Sequence, residues 1–377
     1  MTATALTNAS VLINDGFQEG ISVLIEDGLI TGVSRTVPNG FIVRDCAGLY
    51  LVPGFIDIQV NGGGGLLFND NPSLETIERM ARAHRRFGTT GMLPTLISDD
   101  LDKVAQAIQA IDNAIEAGVP GILGIHLEGP FLAPARKGAH RADKLRMLED
   151  AHLPVLLSGR HGVTHITLAP ECVEPAQIRH LVSRGAKVSL GHSDASFAQV
   201  QAIEQAGATG FTHLFNAMSQ FSGREPGMVG AAFASRTAYC GIIADGEHVH
   251  PASLRAAFDL VGPDRLMLVT DAMSLADSEL TSFTLQGQTI HRSGNALRNE
   301  NGTLAGSALT MIEALRGMMT LTGVSLADAC RMAATTPARF LDLSKQVGRI
   351  EKGLRADLVL LDENLNVVET MIAGDLN

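Results

Sequence analysis

The periodicity of the hydrophobic residues divides the chain into three parts. Residues 1–52 contain short runs of Val, Ile and Leu, such as ISVLIED and FIVRD, separated by Asp-Gly and Asn-Gly pairs that are typical of tight turns. Residues 343–377 have the same character. We therefore expect residues 1–52 and 343–377 to form one small β-sandwich-like domain, built from both ends of the chain, beside a central domain of residues 53–342.

In the central part of the chain, amphipathic helical patterns alternate with short apolar runs typical of buried strands. Amphipathic helical patterns cover residues 72–88, 101–118, 197–207, 251–262 and 307–323. Eight apolar, strand-like runs lie around them: GFIDIQV, GMLPTLIS, GILGIHLE, VTHITLAP, KVSLGHS, TGFTHLFN, YCGIIAD and LMLVTD. This alternation predicts an α/β fold of the (β/α)8 TIM-barrel type for the central, catalytic domain.

A doubly wound open sheet is the alternative fold. Such a sheet usually carries a phosphate-binding glycine fingerprint after its first strand, and the glycines of NGGGG at 61–65 do not have that spacing. Two interpretations of NGGGG stay open, a flexible turn and a segment that lines a site. Residues 274–300 predict a β-hairpin insertion near the barrel mouth.

Four of the strand-like runs end in residues suited to metal chemistry, which are Glu128, His192, His213 and Asp271. A parallel barrel presents the carboxyl ends of its strands to one shared mouth. A single strand-end Glu is typical of a salt bridge, and a single His there is usually structural. Two His and one carboxylate at equivalent strand ends instead indicate a catalytic metal shell with a position open for water.

The predicted metal site consists of Glu128, His192 and His213, with one divalent ion per subunit. Imidazole and carboxylate ligands favour zinc and leave iron, cobalt, manganese and nickel as alternatives. A metal-bound water becomes a nucleophile near neutral pH. Asp271 is then the candidate general acid/base, and the alternative for Asp271 is a structural or helix-capping role.

Further polar residues follow the strands as candidates for substrate contact. His248, in ADGEHVH, could hydrogen-bond a substrate carbonyl or a developing oxyanion, and an HxH metal pair with His250 is the rival interpretation. The loops ARKGAH and GREPG carry cations suited to an anion, namely Arg136, Lys137, His140 and Arg224. Each of these charges is also compatible with a solvated surface position.

Composition narrows the class of protein. The chain has 377 residues, of which 45% are hydrophobic and 18% charged, so a large core is expected. A net charge of −11 argues against a nucleic-acid binder. The four cysteines form no CxxC pair, which indicates reduced core thiols. We find no secretory signal or membrane-length apolar run, so we expect a cytoplasmic protein without a membrane partner.

An ordered set of motifs runs through nearly the whole chain. It comprises PGFID at 53–57, HLEGPF at 126–131, KGAH at 137–140, LGHSDA at 190–195, THLFNAM at 212–218, GREPG at 223–227, IIADGEHV at 242–249, VTDAM at 269–273, GTLAGSALTM at 302–311 and GRIEKGLRADLVLLD at 348–362. Together these motifs resemble the N-acetylglucosamine-6-phosphate deacetylase family of the amidohydrolase superfamily.

The resemblance implies an enzyme of amino-sugar metabolism that hydrolyses the N-acetyl amide of N-acetylglucosamine-6-phosphate to glucosamine-6-phosphate and acetate. It implies metal ligands at Glu128, His192 and His213 and an acid/base at Asp271, with His248 assisting catalysis. Substrate-contact positions fall on Ala139, His140, Asn216, Ala217, Arg224, His248, Leu304, Ala305 and Gly306. It also implies a homodimer in which Arg224 reaches the partner's site to bind the phosphate.

One segment departs from the pattern of the superfamily. Many members carry HxH after the first barrel strand and bind a second metal there, whereas this chain has IDIQVN with Gln59 and Asn61. Amides are poorer ligands for a zinc-type ion, so the chain resembles the single-metal branch. We expect Gln59 and Asn61 to belong to the substrate-binding set, and Gln59 could also reach the metal site through a water.

Three other functions remain open at this point. The first is the same reaction on N-acetylgalactosamine-6-phosphate, which differs at one hydroxyl. The second is a cyclic-amide amidohydrolase, which the absence of HxH disfavours. The third is a non-catalytic sugar-phosphate sensor, which the presence of Glu128, His192, His213 and Asp271 disfavours.

Overall fold

The computed structural model describes residues 3–376, so residues 1, 2 and 377 of the predicted β-domain lie outside it. The N-terminal region consists of short strands. These are β1 (Ala3–Thr7), β2 (Ser10–Ile13), β3 (Gly16–Gln18), β4 (Ser22–Glu26), β5 (Leu29–Ser34), β6 (Ile42–Asp45) and β7 (Tyr50–Pro53). Four of them form a sheet in the order β5-β4-β1-β6.

The central region contains eight parallel strands that correspond to the eight predicted runs. The first of them, β8 (Phe55–Val60), is followed by a separate short hairpin of β9 (Gly62–Gly63) and β10 (Leu66–Leu67). The other seven are β11 (Thr89–Ile97), β12 (Gly124–Glu128), β13 (Val163–Leu168), β14 (Lys187–Leu190), β15 (Gly210–Phe211), β16 (Tyr239–Ile242) and β17 (Leu266–Leu268). The eight-stranded sheet has the order β17-β16-β15-β14-β13-β12-β11-β8.

Helices connect these strands. They are α1 (Leu74–Arg85), α2 (Leu101–Glu116), α3 (Leu153–Leu156), α4 (Pro175–Ser183), α5 (Phe197–Gln205), α6 (Gly227–Ala234), α7 (Pro251–Val261), α8 (Met311–Thr322), α9 (Leu326–Cys330) and α10 (Thr336–Phe340). A π-helical turn at Arg331–Thr335 joins the last two, and 3-10 turns occupy Pro134–Arg136, Ala142–Lys144, Asp150–His152 and Pro170–Cys172. All five predicted helical patterns coincide with helices.

Capping residues explain where several helices begin. Ser73 and Ser196 accept backbone N–H bonds at the starts of α1 and α5, and Thr310 forms a capping box with Glu313 at α8. His250 Nδ1 accepts the Ala252 N–H at the start of α7. His250 therefore caps helix α7.

The first and last strands of the series close the barrel. Val60 pairs with Ala272 in parallel, the Asp271 N–H donates to the Gln59 carbonyl oxygen at 3.0 Å, and the Asn61 N–H donates to the Ala272 oxygen at 2.8 Å. The strand order is continuous and has no reversal. The predicted (β/α)8 barrel is therefore confirmed, and the doubly wound alternative is wrong.

The segment after the last barrel strand folds as the predicted hairpins. Strands β18 (Ser282–Leu285), β19 (Gln288–Ser293), β20 (Ala296–Asn299) and β21 (Leu304–Ser307) form an antiparallel sheet in chain order. Gln286 and Gly287 both have positive φ, as a tight hairpin turn between β18 and β19 requires. Apolar residues of this sheet, including Leu285, Ile290 and Leu297, pack on Met273 beside the barrel mouth.

The last strands, β22 (Leu358–Leu361), β23 (Val367–Ile372) and β24 (Asp375–Leu376), join N-terminal strands in a six-stranded sheet with the order β24-β23-β22-β7-β2-β3. Leu6, Val23, Leu51, Leu358 and Met371 contribute to a hydrophobic cluster that is separate from the barrel core. The domain boundaries at 52/53 and 342/343 stay a prediction.

Two further observations concern the cysteines and the helices. All four cysteines are buried and free. Within residues 3–376, none of the helices combines the length and the apolar character that a membrane crossing needs.

Asp57, in β8, is a fully buried carboxyl group where the first barrel strand meets the segment after β17. It accepts bonds from the Thr270 hydroxyl at 2.5 Å and from the Gln59 N–H at 3.2 Å. Burial, with a smaller contribution from the charge of Asp271, raises the pKa of Asp57 to about 7. The folded chain therefore holds this proton more tightly than the unfolded chain does.

This raised pKa predicts that Asp57 destabilises the folded chain as the pH rises. Asp57 loses its proton near pH 4 in the unfolded chain but only near pH 7 in the folded chain. Between these two pH values, Asp57 therefore lowers the free energy of unfolding as the pH rises, by up to about 1.4 kcal/mol per pH unit. We expect Asp57→Asn to gain several degrees in Tm relative to wild type on going from pH 5 to pH 8, measured by thermal unfolding. If the difference in Tm between Asp57→Asn and wild type were the same at pH 5 and pH 8, this expectation would be wrong.

Candidate active site

The barrel brings the four predicted strand-end residues together at its mouth. Glu128 is the last residue of β12, His192 and His213 follow β14 and β15 by two residues, and Asp271 follows β17 by three. All four side chains are buried and line one cavity of about 340 Å³. The alignment of the parallel strands thus produces a shared site from residues 143 positions apart in the chain.

The backbone at these strand ends is unusual. His192, His213 and Asp271 have φ values of 48°, 34° and 51°, in the left-handed region, and Phe215 and Ala217 beside them also have positive φ. Such conformations cost free energy in residues with a Cβ atom and concentrate at functional sites. The clustering at the mouth agrees with a functional role for this segment of the barrel.

Three side-chain atoms converge as a metal shell requires. Glu128 Oε1 lies 3.2 Å from His192 Nε2 and 3.1 Å from His213 Nε2, and the two Nε2 atoms are 3.0 Å apart. A tetrahedral zinc with bonds of about 2.0–2.1 Å places its ligand atoms roughly 3.3 Å apart. The donor set and its spacing therefore fit a divalent cation.

The tautomer of His192 also suits a ligand. Its Nδ1–H donates to the Arg136 carbonyl oxygen at 2.9 Å, which leaves the lone pair on Nε2, the atom that faces Glu128 and His213. Metal-binding imidazoles are commonly oriented in this way by a carbonyl acceptor. His213 Nδ1 is buried and has no hydrogen-bond partner within the described residues.

His140 is a second candidate ligand by proximity. Ligand atoms of Glu128, His140 and His192 all lie within 4.8 Å of one another. However, His140 Nδ1 accepts the Ser98 N–H at 3.3 Å and lies 2.8 Å from the Ser98 hydroxyl, so the ring proton is on Nε2. An Nε2–H is a hydrogen-bond donor and not a metal ligand, so we favour His213 as the third ligand.

Burial and charge set the protonation of the cluster. Burial raises the pKa of Glu128, but hydrogen bonds and charges from His192 and His213 outweigh it and hold the pKa well below its ordinary value. Burial lowers the pKa of His213, but the bond to Glu128 and the negative charges of Glu128 and Asp271 together raise it above its ordinary value. Burial, with the neighbouring His192, lowers the pKa of His140 to about 3, so His140 is neutral.

Asp271 differs from Glu128 in its protonation. Burial, and then the negative charge of Glu128, raises the pKa of Asp271 to about 6. Its Oδ1 accepts bonds from Asn61 Nδ2 at 2.7 Å and from Gln59 Nε2 at 3.2 Å. Gln59 Nε2 also donates to Glu128 Oε1 at 3.1 Å. A carboxyl group that titrates near neutral pH beside a metal shell is suited to move a proton.

His248 also lines the cavity. Its Nδ1–H donates to Asp245 Oδ2 at 2.6 Å, and both side chains are almost fully buried. Burial raises the pKa of Asp245, but the bond and charge of His248 outweigh it and keep the carboxylate ionised. The pair fixes the His248 ring with Nε2 free to meet a ligand.

Most of the predicted substrate-contact residues line this cavity. They are Ala139, His140, Asn216, Ala217, His248, Leu304, Ala305 and Gly306. Three do not. Gln59 and Asn61 are buried beside Asp271, outside the cavity lining, and Arg224 is exposed on its loop. Within residues 3–376, Arg224 has no hydrogen-bond or ion-pair partner, so its assigned role across a dimer stays a prediction.

Some residues of the site were not among the predicted set. Ser98 orients His140 and directly follows β11, so the strand-end rule that selected Glu128 could have found it. Asp245 precedes His248 by three residues and could have been found by that spacing. Arg136 was predicted only as a cation suited to an anion. In the structure it lines the cavity, pairs with Asp194 at 2.8 Å, and its carbonyl oxygen accepts the His192 Nδ1–H.

His126, which shares a strand face with Glu128, lies deeper in the barrel. Its ring stacks on His165 at 4.2 Å and bonds the hydroxyls of Thr95 and Thr167. Burial, the main cause, lowers the pKa of His126 to about 4. His126 is thus a neutral part of the barrel interior.

Two sequence relatives show what the chain is similar to. It is 51% identical over 326 residues to an N-acetylgalactosamine-6-phosphate deacetylase of Shewanella sp. (strain ANA-3), covering 86% of this chain and 82% of the relative. It is 39% identical over 349 residues to an N-acetylglucosamine-6-phosphate deacetylase of Bos taurus, covering 88% and 84%.

Two solved structures match almost completely. N-acetylglucosamine-6-phosphate deacetylase from Pasteurella multocida superposes with a TM-score of 0.96 at 34% identity, covering 100% of this chain and 99% of that one. A mutant of the Mycobacterium smegmatis enzyme of the same name, in complex with N-acetyl-D-glucosamine-6-phosphate, gives a TM-score of 0.93 at 32% identity with the same coverage.

The family predicted from the motifs is confirmed by these matches and by a match to the Amidohydrolase family over residues 50–376. The chain therefore belongs to the amidohydrolase family.

Proposed function

We propose that this protein hydrolyses the N-acetyl amide of N-acetylglucosamine-6-phosphate to give glucosamine-6-phosphate and acetate. The observation that carries the proposal is the convergence of Glu128, His192 and His213 beside Asp271 in one cavity. The relatives and solved structures named for amino-sugar phosphate deacetylation support the substrate class.

The metal would be held by Glu128, His192 and His213. Zinc suits two imidazoles and one carboxylate, and iron, cobalt, manganese and nickel are the alternatives. When bound, such an ion polarises a carbonyl oxygen and lowers the pKa of a coordinated water. One ion per subunit is expected, because amides stand at Gln59 and Asn61.

The residues of the chain carry the proton transfers. Asp271 takes a proton from the attacking water and returns it to the nitrogen of the departing amine, which completes the cleavage of the C–N bond. The Nε2–H of His140 can donate to a substrate oxygen. His248, whose Nδ1–H is bonded to Asp245, presents the lone pair of Nε2 to the substrate and can accept a bond from it. The walls of the cavity hold the sugar so that the amide meets the nucleophile.

The sugar phosphate requires cations at the outer part of the cavity. The sequence resemblance assigns Arg224, delivered by the partner in a homodimer, together with His140. Since His140 is neutral and faces the metal shell, we place it at the amide end instead. The homodimer with Arg224 at the shared site, and the cytoplasmic location, remain part of the proposal.

A second candidate substrate is N-acetylgalactosamine-6-phosphate. The observation that favours it is the 51% identity to the Shewanella relative of that name, which exceeds the 39% identity to the Bos taurus relative. The two sugars differ in the configuration of one hydroxyl. The proposed chemistry at Asp271 is the same for both.

Acetate release separates these candidates. We expect turnover of N-acetylglucosamine-6-phosphate, and a loss of at least about 100-fold in kcat/KM for unphosphorylated N-acetylglucosamine, because the phosphate contacts orient the amide. N-acetylgalactosamine-6-phosphate is assayed beside it on protein of measured metal content. Preference for the galacto sugar would transfer the assignment to the second candidate, and no acetate from any sugar phosphate would favour a sensor.

Removal of the acid/base tests the mechanism. We expect Asp271→Asn to lower kcat by about 10²–10⁴-fold, because the amide cannot accept the proton of the water. Metal content and the affinity for N-acetylglucosamine-6-phosphate should stay near those of wild type. Full turnover in this variant would show that Asp271 is not the proton carrier.

Removal of the metal tests the ligand set. We expect chelation to abolish acetate release and added zinc to restore it. Glu128→Gln, which replaces a charged ligand by an amide, should lower metal content measured by elemental analysis. His126→Asn, in the barrel interior, is the matched control and should retain metal. Equal metal loss in both variants would indicate general unfolding instead of a ligand role for Glu128.

A further inference from the structure

The sequence assigned Gln59 and Asn61 to substrate binding, and the structure suggests a different role for them. Both are 2% exposed, and neither lines the cavity. They lie two residues apart, at the end of β8, so their side chains point to the same side of the strand. That side faces Asp271.

The two amides donate to one oxygen of Asp271. Asn61 Nδ2 lies 2.7 Å from Oδ1, and Gln59 Nε2 lies 3.2 Å from the same atom. Oδ2 has no hydrogen-bond partner within the described residues, while Asp271 itself lines the cavity. Oδ2 is therefore the oxygen left open to a ligand.

The backbone fixes this arrangement. The Asp271 N–H donates to the Gln59 carbonyl oxygen, and the Asn61 N–H donates to that of Ala272. The Phe68 N–H in turn donates to the Asn61 carbonyl oxygen across the β9–β10 hairpin. The donors and the carboxylate are thus held in register by the strands that close the barrel.

The two amides have different second contacts. Gln59 Nε2 also donates to Glu128 Oε1 at 3.1 Å, so Gln59 joins a proposed metal ligand to Asp271. Asn61 Nδ2 has its contact to Asp271 alone, and Asn61 Oδ1 is buried without a partner among the described residues. Gln59 therefore bridges Glu128 and Asp271, whereas the amide nitrogen of Asn61 bonds Asp271 alone.

We propose that Asn61 and Gln59 are positioning residues that hold Asp271 through Oδ1, so that Oδ2 takes the proton of the attacking water and passes it to the nitrogen of the departing amine. This inference rests on the proposed function, since it requires Asp271 to be the acid/base. Asn61 acts on Asp271 only, whereas Gln59 also orients Glu128. Neither residue contacts the sugar.

The test removes one donor at a time. Asn61→Ala is expected to lower kcat by about 10–100-fold, as for other residues that orient a reacting group through hydrogen bonds, with KM for N-acetylglucosamine-6-phosphate unchanged. Its zinc affinity, measured by titration of metal-free protein, should equal that of wild type. Gln59→Met should lower kcat and also weaken zinc binding, because Glu128 loses a donor.

Gln177→Ala is the matched control. Gln177 is a buried amide whose Nε2 donates to the Leu148 carbonyl oxygen, away from the site, so this variant should retain kcat, KM and zinc affinity. Thermal unfolding of all variants reports folding separately. If Asn61→Ala does not fold, Asn61→Ser, which keeps a short donor, replaces it and is expected to lose less kcat.

Two results would overturn the inference. A raised KM with unchanged kcat in Asn61→Ala would make Asn61 a substrate contact, and unchanged kcat with unchanged KM would remove it from the reaction. Failure of the proposed function looks different, because wild type itself would then release no acetate from a sugar phosphate.

Discussion

Closure of the barrel between its first and last strands is the constraint on which the rest of the structure depends. In an open sheet, Glu128 on the third strand and Asp271 on the eighth would lie roughly 24 Å apart, at about 4.8 Å per strand. The backbone bonds from Asp271 to Gln59 and from Asn61 to Ala272 turn the row of strands into a ring. Gln59 on the first strand can then reach Glu128 and Asp271 with one amide nitrogen.

The closed barrel brings several ionisable side chains together in a buried site, where burial disfavours their charged forms. The hydrogen bonds and neighbouring charges of each side chain then determine whether it stays charged. Hydrogen bonds from His192 and His213 lower the pKa of Glu128, whereas burial raises that of Asp271 to about 6. Two carboxyl groups in one cavity thereby differ in protonation, which suits the proposed roles of Glu128 as an anion beside a cation and of Asp271 as a proton carrier. The hairpin insertion completes the wall, since Gln286 Nε2 donates to the Ser98 carbonyl oxygen behind His140.

Most elements of the barrel could be predicted from the pattern of apolar residues. The five predicted helices were found because one face of each is apolar, and the barrel strands because they form continuous apolar runs, which in β8 and β11 are buried on both faces. Helix α6, GMVGAAFA, was missed because it is buried on nearly every side and so has no polar face to mark its period. Ser98 was missed although it directly follows β11. Arg136 was predicted only as a cation, because a backbone carbonyl that orients a histidine leaves no signal in the sequence.

The sequence by itself determined the barrel, the strand-end residues Glu128, His192, His213 and Asp271, and the family to which the chain belongs, because periodicity and motif order are local properties of the chain. Only the tertiary structure decided how these residues are used. It placed Asn61 against Asp271 instead of in the cavity and put the proton of His140 on Nε2. It also left Arg224 outside the cavity of its own chain. These outcomes depend on contacts between strands and loops far apart in sequence, which no local pattern encodes.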